Sequence, residues 1–382
     1  MQRPDILIQN VSGQCIPNLV AAKTFRPRKI IWVYTPEFGN VLNCMREAVS
    51  GFVPEQENWR VDARDVEGMH RALSDDFAGL PAGQHVCYHL TGGTKSMSLQ
   101  GLYNLGTFRR SRAADVRGIV MNPRTQHFDV IYPHPVNSAV ACTPLALEEM
   151  LAVHGNRWDG RHAHVELEAC IRHYDLWEAM RGQAVELKRV WSGNDMRALH
   201  RQPVKGSLRR FRSLRPLPAL FRRSMSLLEE NGWLSGLSFP AADQVCYEQH
   251  SRDIIKLISG GWLEYWLGAV LYESGIEWMG ARISAKILER GGGSQEFDFL
   301  GARQNHLVYW SCKTDKKLTN DKLFEVDALR DGIAGSDFHV AGVLHVARIQ
   351  PVMQAKARRM HLHLVNAFAS DAAEQVVRVS GS

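Results

Sequence analysis

The chain has 382 residues, a formal net charge of +6 at pH 7, 45% hydrophobic and 23% charged residues, the balance of a folded globular protein long enough for two or three domains. Its seven cysteines form no C-x-x-C pair and are odd in number, which argues against a disulfide framework and points to a reducing compartment. No apolar run approaches the roughly 18 residues of a membrane span and no signal-peptide core opens the chain, so a soluble cytoplasmic protein with no membrane partner is expected.

In chain order, strand-like runs at 5–11, 29–35 (KIIWVYT), 86–90 and 118–122 alternate with helical patterns at 40–51 and 66–78. This alternation predicts an α/β unit with a mainly parallel sheet. Ligands of such sheets bind beyond the carboxyl ends of the strands, near the switch point. Three strand ends carry turn chemistry: Ser12, Gln14 and Asn18 after the first, Thr35 after the second, and Thr91-Gly92-Gly93-Thr94-Lys95 after the third. The glycines admit close backbone approach, and a helix N-terminus with two hydroxyls and an ammonium suits a phosphate or ribose. The spacing is not that of a Walker A loop. A plain βα turn in which the glycines relieve strain and Thr94 caps the helix accounts for the same residues.

From about 145 to 250 the composition changes, with helical stretches at 145–153 and 169–180. A basic segment follows, carrying Arg197, Arg201, Lys205, Arg209, Arg210, Arg212, Arg215, Arg222 and Arg223 and no acidic residue over 197–223. It reads either as a path for a nucleic-acid backbone or as a solvated connector. A small helical or winged-helix unit fits.

A second α/β unit closes the chain. Trp262, Leu263, Trp266, Leu267, Val270 and Leu271 form one helical stripe ending at Gly275. Strands follow at 295–300 and 307–314. Side chains alternate along a strand, which puts Glu296 and Asp298 on one face, Phe297 and Phe299 on the other, and groups Tyr309, Ser311 and Lys313. An acidic strand beside a strand ending in lysine suits phosphodiester hydrolysis with Mg2+ or Mn2+, with Glu264 as a further carboxylate and Asp315 as a lesser one. A solvated charged face on an edge hairpin is the alternative. His162 and His164 lack a third ligand at suggestive spacing, and Trp191, Trp262 and Trp266 are read as core.

The order of these motifs resembles the CRISPR-associated Rossmann fold (CARF) effector nucleases that join one CARF domain to a restriction-endonuclease-like PD-(D/E)xK domain. The carrying stretches are ILIQNVSGQCIPN (6–18), KIIWVYTP (29–36), LTGGTKSM (90–97), WLEYW (262–266), EFDFL (296–300) and CKT (312–314). The resemblance implies a CARF domain over 1–143, a basic connector over 144–248 and a nuclease-like domain over 249–382. It also implies a homodimer that binds a cyclic oligoadenylate, most often cyclic tetra-adenylate, through Ser12, Gln14, Asn18, Thr35, Thr91, Gly92, Gly93, Thr94 and Lys95. The expected activity is that of a messenger-activated, metal-dependent nuclease of type III CRISPR antiviral defence, acting on DNA or RNA with little sequence preference. Its catalytic set would be Asp298, Lys313, Glu296, Glu264 and Ser311, with Mn2+ or Mg2+ held by Asp298, Glu264 and the Cys312 carbonyl. The family pattern has an acidic residue where this chain has Ser311. Either Glu264 or Glu296 compensates, or activity is weak, or the domain binds nucleic acid without cutting it.

Overall fold

The structure is a computed structural model that describes all residues except 1–2, 113–114, 160–164, 191–207, 213–215, 218, 250–256, 290–291, 316, 334–338 and 382. His162, His164, Trp191, Arg197, Arg201, Lys205 and Arg215 lie outside the described residues.

The first unit runs β1 (Ile6–Asn10), α1 (Ile16–Phe25), β2 (Lys29–Tyr34), α2 (Gly39–Val49), β3 (Glu55–Arg60), α3 (Val66–Ala78), β4 (Val86–His89), α4 (Lys95–Arg112), β5 (Val116–Asn122), β6 (His127–Tyr132) and β7 (Val136–Ala141). Its sheet has the order β3-β2-β1-β4-β5-β6-β7, parallel through β5 and antiparallel at β6 and β7. This is a Rossmann-like sheet, as expected. All five residues of β1 are buried, the mark of a central parallel strand covered on both faces. β3 (EQENWR) went unread because only its tryptophan is buried. As an edge strand it needs little apolar content, and Lys29 on β2 pairs with its Glu57.

The middle segment contains α5 (Leu147–Ala152), β8 (Arg157–Trp158), α6 (Leu167–Ile171), α7 (Tyr174–Val190), β9 (Leu208–Arg212), α8 (Ala219–Glu230), β10 (Leu234–Ser238) and β11 (Gln244–Gln249). β9, β10 and β11 form a small antiparallel sheet beside α7 and α8. Arg209, Arg210 and Arg212 lie on β9, whereas Arg222 and Arg223 are engaged locally with the Ala242 carbonyl and Glu230.

The last unit comprises α9 (Trp262–Glu273), β12 (Ala281–Leu288), β13 (Ser294–Arg303), β14 (His306–Lys313), α10 (Asn320–Ile333), β15 (His339–His345), α11 (Pro351–Arg359), β16 (His363–Asn366) and α12 (Ala372–Gly381). Its sheet has the order β16-β15-β14-β13-β12-β8, so Arg157–Trp158 from the middle segment supplies the edge. Trp262 and Trp266 are core residues, as read from the stripe, and Gly275 follows the helix at φ +70°. Val308, Trp310 and Leu344 share a buried cluster with α9, while Tyr309 and Val343 share another with Leu323 and Val326 of α10. Strict alternation fails at one point: Phe297 joins the second of these clusters and Phe299 the first. The opposing residue on β12, Ser284, stands at φ +52°, and pairing between β13 and β14 stops at Phe299, so the local twist is unconstrained by a ladder.

The two α/β units share one continuous apolar cluster, bridged by Leu147, Met150 and Leu151 of α5. The β13–β14 turn reaches the first unit directly. Asn305, only 1% exposed, accepts the Leu145 N–H and donates to Gln126 Oε1, each at 2.8 Å.

Gly342 on β15 lies flat against the Trp310 indole, and a Cβ there would run into ring atoms. Gly342→Ala is expected to destabilise the protein by about 1–3 kcal/mol through overpacking, read as a lower urea midpoint at unchanged slope.

Candidate functional sites at two strand ends

The first site is the switch point of the large sheet. The chain leaves β1 for β2 and β3 on one side and returns to β4 and β5 on the other, so the loops after β1 and β4 part over a crevice. Gly92 and Gly93 press against Asn10: an added Cβ would stand 2.6 Å from the Asn10 carbonyl oxygen or from the Asn10 Cβ, and Gly93 has φ +81°. Glycine is a steric requirement at both. The Asn10 side chain donates to the Gly92 carbonyl at 3.2 Å and to Ser98 Oγ at 3.3 Å, and accepts the Tyr88 hydroxyl at 2.8 Å. Thr94 Oγ1 accepts the Met97 N–H at 3.2 Å and so caps α4.

The predicted binding residues divide into two groups. Ser12, Gln14, Gly93, Thr94 and Lys95 keep some exposure, with Thr94 and Lys95 fully at the surface. Asn18 and Thr35 are buried, Gly92 is covered, and the Thr91 hydroxyl accepts the Met121 N–H at 2.8 Å. Asn18 donates to the Asn10 carbonyl at 2.9 Å and accepts from His89 at 3.1 Å. These residues lie beneath the switch-point loops and hold their backbone. Asn10, Tyr88, His89 and Ser98 were not singled out from sequence. The available signal was polarity at the ends of two apolar strands, ILIQN and VCYH.

The second site lies where β13 and β14 part. Their ladder ends at the pair Phe299 and Trp310. Beyond it, Asp298 Oδ2 takes the Cys312 N–H at 2.7 Å and the Ser311 hydroxyl at 3.2 Å. Glu264, 8% exposed in the first turn of α9, accepts from the Ser284 hydroxyl, and the helix dipole favours its charge. Lys313 Nζ is 3.1 Å from Glu325 of α10. Cys312 marks the convergence: burial pushes its thiol pKa up, Asp298 and Glu264 push it further, and Lys313 opposes them. Glu296 is paired instead with Lys286 of β12 at 3.9 Å and is half exposed. Among the described residues no three of His, Cys, Asp and Glu gather as a ligand group.

No protein-family model and no curated protein sequence matches the chain. Solved structures do match it. Can2 from Sulfobacillus thermosulfidooxidans, in complex with cyclic tetra-adenylate, superposes at TM-score 0.74 and 15% identity, over 100% of this chain and 98% of that one. The chain has the Can2 fold. The Vibrio cholerae protein VC1899 matches at TM-score 0.76 and 14% identity over 98% and 97% of the two chains. A type III CRISPR defence DNA nuclease activated by cyclic oligoadenylate matches at TM-score 0.51 and 16% identity, over 92% of this chain and 47% of its own. The Can2 fold thus extends across both sites, and neither belongs to an appended segment.

Beneath the crevice, His89 is fully buried with Nδ1 at 3.1 Å from both Gln9 Oε1 and Asn18 Oδ1. Two acceptors require the proton on Nδ1. Burial pushes the His89 pKa down to about 3. In the unfolded chain it titrates near about 6.5, so below that pH the unfolded state binds the extra proton and stability falls, by up to about 1.4 kcal/mol per pH unit. His89→Gln is expected to flatten the decline in urea-measured stability between about pH 6.5 and 5. An unchanged slope would show that His89 protonates freely in the folded protein.

Proposed function

We propose that the protein is a cyclic oligoadenylate-activated, metal-dependent nuclease of type III CRISPR defence that acts as a homodimer. The observation that carries this is the shared fold, over essentially its whole length, with a structure solved around cyclic tetra-adenylate. Its switch-point crevice is supported by a glycine pair and by exposed Thr94 and Lys95, chemistry that suits a ribose-phosphate ring. Leu99 and Tyr103, 68% and 59% exposed one turn apart on α4, are the apolar surface a second copy would cover. The proposed domains are 1–143, 144–248 and 249–382.

In the second site, Asp298, Glu264 and the Cys312 carbonyl are the oxygens that would hold Mg2+ or Mn2+, hard cations that prefer such donors. Such an ion activates water and neutralises charge on the phosphoryl oxygens when bound. The chain's own groups have separable roles. The Cys312 amide and Ser311 hydroxyl fix the Asp298 carboxylate, and Ser284 fixes Glu264. Lys313 places a cation where negative charge develops. Nucleotide binding would act by favouring one of two arrangements of the dimer, since a ligand shifts an equilibrium only by its differential affinity. The substrate is DNA or RNA, held through its backbone.

A second reading has a specific observation behind it. Ser311 stands where a carboxylate would complete the ligand set, and its hydroxyl is engaged by Asp298. On that reading the protein binds messenger and nucleic acid as a regulator without cutting.

The deciding experiment incubates the full chain with supercoiled plasmid, single-stranded DNA and single-stranded RNA, with Mn2+ or Mg2+, with and without cyclic tetra-adenylate. Cleavage that needs both metal and messenger is expected, lost in Asp298→Asn and Lys313→Ala with messenger binding intact. Tight messenger binding without cleavage, restored by Ser311→Glu, would establish the regulator instead. For the crevice, Lys95→Ala is expected to weaken cyclic tetra-adenylate binding by about ten- to hundredfold in calorimetry, the loss of a charge-assisted phosphate contact.

A further inference from the structure

Two lysines flank the second site from different elements. Lys313 ends β14, and Lys322 lies in the first turn of α10. Each is neutralised by a carboxylate from the same neighbourhood: Lys313 by Glu325 at 3.1 Å, Lys322 by Asp315 in direct contact. The exposures are unequal in a consistent sense. The lysine side chains are 16% and 26% exposed, whereas Glu325 and Asp315 are 55% and 53% exposed. The cations are therefore the inner members and the carboxylates the outer ones. The lysines also feel each other: burial lowers the pKa of Lys322, and the charge of Lys313 lowers it further, against the opposing pull of Glu325. Two ammonium groups in one partly dehydrated place are stable only beside anions. Exposed carboxylates are weak, exchangeable partners, since pairs at the surface contribute little.

We propose that Lys313 and Lys322 form a two-lysine seat for a backbone phosphate of the nucleic acid, occupied in the substrate-free protein by Glu325 and Asp315. The inference rests on the nuclease reading above and names the residue, Lys322, that extends it. A phosphodiester arriving from solvent meets the carboxylates first and displaces them, while the lysines stay fixed by their burial. Lysine suits this role as a point charge on phosphate with no base preference. The seat adjoins Asp298 through Cys312, so a strand bound there passes the carboxylates.

The test measures binding of fluorescein-labelled single-stranded and duplex DNA to the full chain by anisotropy across a salt series, with cyclic tetra-adenylate present and EDTA preventing hydrolysis. Lys322→Ala is expected to weaken binding roughly three- to tenfold and to lower the slope of log affinity against log salt by about one, as for the loss of one phosphate contact. Lys322→Arg restores the slope, and Asp315→Asn and Glu325→Gln bind more tightly than the parent. Unchanged cyclic tetra-adenylate binding by each variant verifies the fold. If the parent binds DNA and Lys322→Ala matches it in affinity and slope, the lysine seat is wrong and the nuclease reading stands. If the parent shows no salt-dependent binding of DNA, and none of labelled single-stranded RNA in the same assay, both fall together.

Discussion

A peptide group that leaves a sheet ladder inside a protein must be hydrogen-bonded by something else, and both sites are organised around meeting that demand. Where β13 and β14 part, the Cys312 N–H would be stranded at a half-buried position, and the Asp298 carboxylate takes it. The bond that repairs the sheet also orients the acid. Where β1 and β4 diverge, Asn10 does the corresponding work, holding the Gly92 carbonyl while its own carbonyl is held by Asn18. In each case a polar side chain on a strand, Asp298 within β13 and Asn10 at the end of β1, substitutes for a missing neighbour.

The middle segment contributes support to this arrangement. Glu178 and Arg181 of α7 form an ion pair, and Arg181 also donates to the Ala367 carbonyl at 3.0 Å and lies over the Trp266 ring. Trp266 Nε1 in turn donates to Glu178 at 2.5 Å. Trp177, Trp233 and Tyr265 meet edge-on or tilted in the same region. The helix that presents Glu264 is thus clamped on one side by α7 of the middle segment and on the other by its own sheet. Its position depends on residues from three separate stretches of chain.

Much of the α/β framework was legible because central strands such as KIIWVY and VCYH are apolar throughout and bounded by turn residues. What escaped was whatever obeyed a different constraint. β3 is polar because it lies at an edge, and β7 is largely exposed. Phe297 and Phe299 look like partners on one face, yet a left-handed residue on the neighbouring strand divides them between two clusters. The acidic strand, the lysine and the glycine loop could be read from type and spacing alone. Asn10, His89 and Glu325 could not, since a lone polar residue in a strand or on a helix has no local signature. Their roles come from contacts made across 78, 71 and 12 residues of sequence.

Asn305 has a consequence for ancestry and recombination. Its amide is enclosed at the tip of the hairpin that carries Asp298 and Lys313, and its partners belong to Gln126 and Leu145. A chimera that exchanged the first unit for that of a distant relative would keep the Leu145 N–H bonded to Asn305 but bury the Asn305 amide N–H without its Gln126 acceptor, at about 1–3 kcal/mol. Swaps of the first unit between such proteins are consequently filtered by one turn. The exchanges that survive are those in which the incoming unit brings an acceptor in the place of Gln126, or in which the hairpin tip is inherited together with the unit it touches.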